Sequence, residues 1–318
     1  QRSLGTIVSF IYLSMADLCR LHLYSELTKL NLFTIFAKFA FMDKKKLIIF
    51  IVAAFLPMIG AGLAMHSCGQ LLKYLLSAGV MFTPMLAVII TKLICKEPIF
   101  NGIGLSFKIN RWWVIGWLLI PIIALAVVGM TLLMPGAMWT PDSDTVKMAL
   151  QSLPDGVGVW GFIGIVMASG LLSGLTINAV FALGEEIAWR GYLMKLFDGR
   201  KFWETALWTG IIWGLWHAPI ILNGHNYPQH PVVGVFMMVV FCLLMTPILM
   251  YFRQKSGSVL VPAIMHGTFN AVAALSMILV TPTNDLLYGA TGMAGMLVLL
   301  IVNACLFMLD RFVIKERK

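Results

Sequence analysis

Runs of about 20 apolar residues, separated by short polar gaps, recur through most of this chain, and that is the length an α-helix needs to cross a hydrocarbon layer of about 30 Å. Lipid offers no water to satisfy backbone N–H and C=O groups, so spanning segments of this length are helices rather than strands. Composition agrees: 60% of the 318 residues are hydrophobic and 12% charged, against roughly 45–50% and 25% in soluble domains. The mean hydropathy is +0.90. The chain therefore reads as all-α, a polytopic transmembrane helical bundle.

Spans are expected at about 47–66, 71–93, 112–134, 157–181, 203–222, 232–252, 259–280 and 286–309, eight in all. The gaps holding Lys44 to Lys46, Lys92 to Arg111, Lys195 to Lys201, Arg253 to Lys255 and Arg311 to Lys318 are basic, while the gaps between them are neutral or acidic. This alternation follows the positive-inside rule and assigns the basic side, with the C-terminus, to the cytoplasm. The net charge of +9 thus reports orientation, and a nucleic-acid partner is not expected. Residues 1–41 mix short apolar stretches with Asp17, Arg20, His22, Glu26 and Lys29, and read as an atypical extension or an extra helix. Met42, followed by Asp43 and three lysines, resembles the start of a membrane protein. A cleaved signal peptide competes for that stretch, but 47–65 is long for such a segment. Residues 42–318 are expected to form one integral membrane domain. Cys19, Cys68, Cys95, Cys242 and Cys305 show no CxxC spacing, so neither a disulfide framework nor a thiolate zinc site is expected.

An ionisable side chain at the bilayer centre costs about 2.5–3.5 kcal/mol on insertion scales, so each one marks a partner or a purpose. Most expected spans contain none; the exceptions gather between Glu185 and Asn270. Glu185 and Glu186 end an apolar helix, and Arg190 lies four residues beyond Glu186, the spacing of an intrahelical ion pair. Glu185 points about 100° away around the helix. His217 lies on the next span, and it and Glu185 each sit about 16 residues, or about 20–24 Å of helix, from the turn near Gly199 to Lys201. A carboxylate and an imidazole thus come to similar depth. His266 and Asn270, four residues apart, share one helix face. Each cluster alone reads equally well as interfacial charge or as helix-packing hydrogen bonds. Together they supply a base for water and hydrogen-bond donors for an oxyanion, the parts that amide hydrolysis needs. No serine or cysteine sits in a nucleophile-elbow motif.

Glu185-Glu186-xxx-Arg190, Trp213-xxx-His217 and His266-xxx-Asn270 resemble the three motifs of the CPBP family of intramembrane proteases, written EExxxR, FxxxH and HxxxN or HxxxB. That family comprises CAAX prenyl endopeptidases and bacterial Abi-type relatives, often described as bacteriocin-processing or self-immunity proteins. The motifs match in order and spacing over a core of about 150–285. Trp213 stands where phenylalanine is usual, an aromatic exchange expected to keep a packing role. The resemblance implies that Glu185 activates water with help from His217, that His266 and Asn270 line an oxyanion site, and that Glu186 and Arg190 pair to support Glu185.

A metal is the open point. Glu185, His217 and His266 could hold zinc through three protein ligands and leave a position for water, whereas the resemblance to CAAX endopeptidases implies a metal-independent, glutamate-activated water. His225 and His230, five residues apart beside Pro228, read as solvated loop histidines rather than as a second metal site. The function expected is an endopeptidase acting on a membrane-associated peptide or protein in a bacterial plasma membrane, with access from the cytoplasmic side. Two other classes stay open: a non-catalytic scaffold or bacteriocin self-immunity protein using the same pocket, and a proton-coupled transporter, although the paired half-helix breaks of transporters are not evident in the sequence.

Overall fold

Helix α1 (Lys44–Ser67) begins at the lysine cluster and runs unbroken through Pro57, as apolar sequence in a membrane permits. The structure, a computed structural model, describes residues 43–315, with side chains to Met308. The extension expected at 1–41, with Cys19, lies outside the described residues. Cys68, Cys95, Cys242 and Cys305 are free thiols.

After α1 come α2 (Gln70–Val80), α3 (Thr83–Ile94) and α4 (Arg111–Leu132). The Asn110 side chain caps α4 by accepting the Trp112 N–H at 3.1 Å. A short strand β1 (Met138–Trp139) and the amphipathic α5 (Asp144–Gln151) lead into α6 (Val159–Leu175), α7 (Ile177–Glu186), a six-residue π-helical turn (Ile187–Tyr192) and α8 (Leu193–Leu196). Next are α9 (Phe202–Trp216), α10 (Ala218–Ile221) and α11 (Pro231–Ser256), which Gly257 ends in the left-handed conformation at φ 73°. Helices α12 (Leu260–Val272) and α13 (Leu275–Leu279), strand β2 (Val280–Thr281) and α14 (Met293–Lys315) complete the chain. Strands β1 and β2 pair antiparallel, Met138 opposite Thr281 and Trp139 opposite Val280.

Seven of the eight expected spans are helical over most of their length and the last, 286–309, is helical only from Met293, so among the described residues the count of crossings is lower. Four stretches are each long and apolar enough to cross a membrane: α1, α4, α11 and Leu260–Leu279, which α12 and α13 make together. Two more qualify as bent pairs, α2 with α3 at 41° and α6 with Ile177–Leu196 at 55°, giving up to six among the described residues. The breaks were hidden because hydropathy is continuous across Met81–Phe82 and Thr176, where the backbone leaves the helix. Helix α9 falls short for another reason: it ends at Trp216, and 15 residues rise only about 22 Å. Apolar helices with this composition make an integral membrane protein.

The charged gaps gather on one face. Asn110 Nδ2 donates to the Ser256 carbonyl at 2.8 Å, and the Val259 N–H to the Gly104 carbonyl at 2.9 Å; Lys46 pairs with Glu97 at 2.5 Å. The opposite face joins 133–143, 223–230 and 280–291 through the β1–β2 pair, Tyr288 Oη to the Pro135 carbonyl at 2.7 Å, and Tyr227 Oη to the Thr291 carbonyl at 2.7 Å.

Helix α12 runs through the middle of the bundle, against α4, α6 and α7. Its Gly267 lets α7 approach so closely that a Cβ there would lie 2.7 Å from the backbone of Asn178 and Ala179, the small-residue packing that membrane helices favour. Asn178 Nδ2 donates across this contact to the Gly267 carbonyl at 3.2 Å. Gly267→Ala is expected to lower stability by about 1–3 kcal/mol through overpacking, read as a lower thermal midpoint in detergent.

Candidate active site

Helix α7 brings two adjacent carboxylates to the junction with the π-helical turn, and their side chains part there. Wide turns of this kind occur often at functional sites. The Glu185 side chain faces a cavity of about 330 Å³. Its Oε2 accepts the indole N–H of Trp213 at 2.7 Å and of Trp189 at 3.2 Å. Oε1 accepts no protein hydrogen bond among the described residues and is left for the cavity. Glu186 turns away, is fully buried and does not line the cavity. Its Oε1 accepts from Arg190 Nη1 at 2.9 Å and from His266 Nδ1 at 2.9 Å.

Arg190 is itself fully buried. Besides Glu186 it donates from Nη2 to Thr246 Oγ1 at 3.1 Å, and its guanidinium lies 4.1 Å from the centre of the Trp213 ring. Burying such a charge is expensive unless it is paired and hydrogen-bonded; here it has an ion pair, a hydrogen bond and a ring face, with Nε left without a partner.

The two imidazoles are held differently. His217 caps α9 at its C-terminal end, and its Nδ1 lies 2.9 Å from the Trp213 carbonyl. A carbonyl only accepts, so Nδ1 carries the proton and Nε2 keeps a lone pair in the neutral ring. His266 presents Nδ1 to Glu186 instead, freeing Nε2 for the cavity. The Trp213 ring packs edge-on to His266 at 5.4 Å between centroids and tilted against His217 at 5.9 Å.

Glu185, His217, His266 and Asn270 thus line one cavity, with Asn270 exposed at its edge. Glu186 and Arg190 stand behind it. Trp213, expected to contribute packing, also donates to Glu185, which phenylalanine could not do. Trp189, the residue just before Arg190, was missed; its i,i+4 spacing from Glu185 was the available signal. Trp213→Phe should keep the ring and lose the donor. A hydrogen bond to a charged group contributes about 1.5–3 kcal/mol, so the expected result is a kcat lower by roughly 10–100-fold with KM little changed, measured on purified protein.

His225 and His230 are both exposed in the 223–230 loop, as expected, but each also has a place in the structure. His230 Nδ1 is 2.6 Å from Oδ1 of the buried Asp285, whose Oδ2 accepts the Gln229 N–H at 2.6 Å. His225, exposed in the same loop, lines the cavity that holds Glu185. As for metal, no group of three or more His, Cys, Asp or Glu side chains among the described residues is placed to hold an ion, the set Glu185, His217 and His266 included. Glu185 Oε1 and the Nε2 atom of each imidazole are donors of the kind zinc takes, and their partner atoms are hydrogen-bonded as those of zinc ligands usually are, so it is their spacing and not their chemistry that falls short of a metal site.

Residues 167–272 match the family model described as type II CAAX prenyl endopeptidase Rce1-like. The matched segment is about one third of the chain and contains all three motifs, so the resemblance to CPBP intramembrane proteases is shown there. At family level it supports an intramembrane endopeptidase. No curated protein matches the chain.

Proposed function

We propose that this membrane protein is an endopeptidase that hydrolyses a peptide bond of a membrane-associated substrate with a water activated by Glu185. The single observation that carries the reading is the separation of the two carboxylates. Glu185 lines the cavity with Oε1 unengaged, whereas Glu186 does not line it: its Oε1 is held by Arg190 and His266, and its Oε2 is buried without a partner and out of the cavity's reach.

In this mechanism a water sits between Glu185 Oε1 and His217 Nε2. Glu185 takes a proton as the water oxygen attacks the scissile carbonyl, and His217 orients the water by accepting its other hydrogen. The two indoles hold the carboxylate against rotation, so that its geometry is set before substrate arrives. Charge developing on the carbonyl oxygen is met by His266 Nε2–H and the Asn270 carboxamide. For Nε2 to donate while Nδ1 donates to Glu186, the His266 ring carries both protons. Glu186 serves that state by accepting from Nδ1, and Arg190 neutralises the charge that Glu186 brings. Glu185 then returns its proton to the leaving amine. In a site with little water, each such donor stabilises the oxyanion more than it would in bulk solvent.

The test is cleavage of a library of lipid-anchored and unanchored peptides by purified protein in detergent, read by mass spectrometry with and without a strong chelator. Products that form equally in both conditions are expected. Cleavage abolished by the chelator and restored by added zinc would refute the metal-free route, and no products from any peptide would refute the peptidase reading.

A further inference from the structure

The cavity and the basic face lie on opposite sides of the site. On the basic side, the segment between α3 and α4 folds under the bundle and is stitched to it. Lys92 Nζ holds the carbonyls of Pro98 and Asn101 at 3.2 and 2.6 Å, and the Gly104 and Asn110 bonds described above fasten the segment to the start of α12 and the end of α11. Ile103 is buried at 4% exposure, and its carbonyl approaches Gly191 so closely that a Cβ there would be 2.4 Å away. No residue of 95–110 lines the cavity.

The lining runs the other way. His266 is about 9 Å along α12 from its start at the basic face, and Ala273, which also lines the cavity, is about 20 Å along the same axis. Farther in that direction the lining includes His225 and Asn226, both exposed in the 223–230 loop, and Thr291, with Ser77 to Met81 of the α2 end on another side. The 223–230 loop is pinned: Tyr227 Oη donates to the Thr291 carbonyl, and Asp285 holds Gln229 and His230. Access from the basic side was expected because the site hangs on helices joined by a basic loop; the packing of 95–110 and the course of the lining favour the opposite direction.

We propose that substrate reaches Glu185 from the face opposite the basic loops, passing between His225–Asn226 and Thr291. The proposal rests on the peptidase reading for what happens inside the cavity. With the basic side assigned to the cytoplasm, the substrate class is a peptide segment presented at the non-cytoplasmic surface of the membrane, such as an exported or surface-anchored chain, and a cytoplasmic tail is excluded. The exposed His225 and Asn226 offer polar contacts to its backbone. The apolar residues below them, Phe241, Phe269 and Met238, accept apolar side chains next to the scissile bond.

The experiment reads access without requiring cleavage. In the full chain with all five native cysteines replaced by alanine, Ala273→Cys and, separately, Thr291→Cys are exposed to a membrane-impermeant cationic thiol reagent in sealed vesicles of each orientation. Lys108→Cys, on the exposed basic side, reports which side is which. Both cavity cysteines are expected to react only from the side opposite Lys108→Cys. Reaction from the Lys108 side, from both sides or from neither overturns the proposal. Failure of the peptidase reading would appear separately, as absence of cleaved peptide in a correctly labelled protein.

Discussion

Glu185→Gln should cut peptide cleavage by about 10²–10⁴-fold, the usual contribution of a positioned general base, while leaving the protein as stable as before or slightly more so. The amide has nearly the volume and shape of the carboxylate, so the cavity wall is preserved. Its carbonyl can turn to accept the Trp213 and Trp189 indoles that now address Oε2, which places the NH₂ group where water would be activated and leaves no base there. Glu185 is only 2% exposed and, unlike Glu186, has no Arg partner at hydrogen-bond distance. Neutralising it relieves a desolvation cost and withdraws a charge that faces His266; the two effects oppose each other, so stability stays near the parent's and the catalytic loss cannot be attributed to unfolding. Thermal midpoint and cleavage rate should move independently. A variant that cleaves within a few-fold of the parent protein removes Glu185 as the base and returns the site to the scaffold or transporter readings.

Much of this site was legible before any geometry, because a bilayer makes each buried charge conspicuous. Glu185, Glu186, Arg190, His217, His266 and Asn270 stand out against apolar runs, and helical spacing alone predicts the Glu186–Arg190 pair and the shared face of His266 and Asn270. Glu185 and His217 line one cavity, at the similar depth that helices leaving the same basic turn predict. What stayed hidden depends on local departures from the regular helix. The break at Thr176 and the π-helical turn after Glu186 leave no mark in hydropathy, yet they tilt the segment that carries both carboxylates. Trp213 was given a packing role and Trp189 none, since a pattern of hydrophobicity does not record where an indole N–H points. His230 and Asp285 lie 55 residues apart in two polar loops, and only the closed bundle brings them together.

The largest effect on stability is expected from Arg190→Ala. Removing one member of a buried charge network destabilises by about 3–5 kcal/mol, because the protonated His266 can then balance only one of the two buried carboxylates, Glu185 and Glu186. Glu186 has no solvent exposure with which to recover that loss. The substitution also deletes the bond to Thr246 and the guanidinium packed against Trp213, so the indole that holds Glu185 loses its backing. The variant should aggregate on extraction or show a much lower thermal midpoint. Glu186→Gln combined with Arg190→Met tests the cause. This double variant removes both charges and keeps most of the volume, and well-packed apolar replacements of a buried pair are often neutral or stabilising. Its thermal midpoint should return most of the way toward the parent's. Cleavage should not return with it, because His266 Nδ1 then faces an amide in place of the carboxylate that favours its doubly protonated state, and its Nε2–H is the donor proposed for the oxyanion. A double variant with both stability and activity restored would show that Glu186 and Arg190 serve packing alone. One that stays unstable would show that the cost lies in the Thr246 and Trp213 contacts instead of in the orphaned charge.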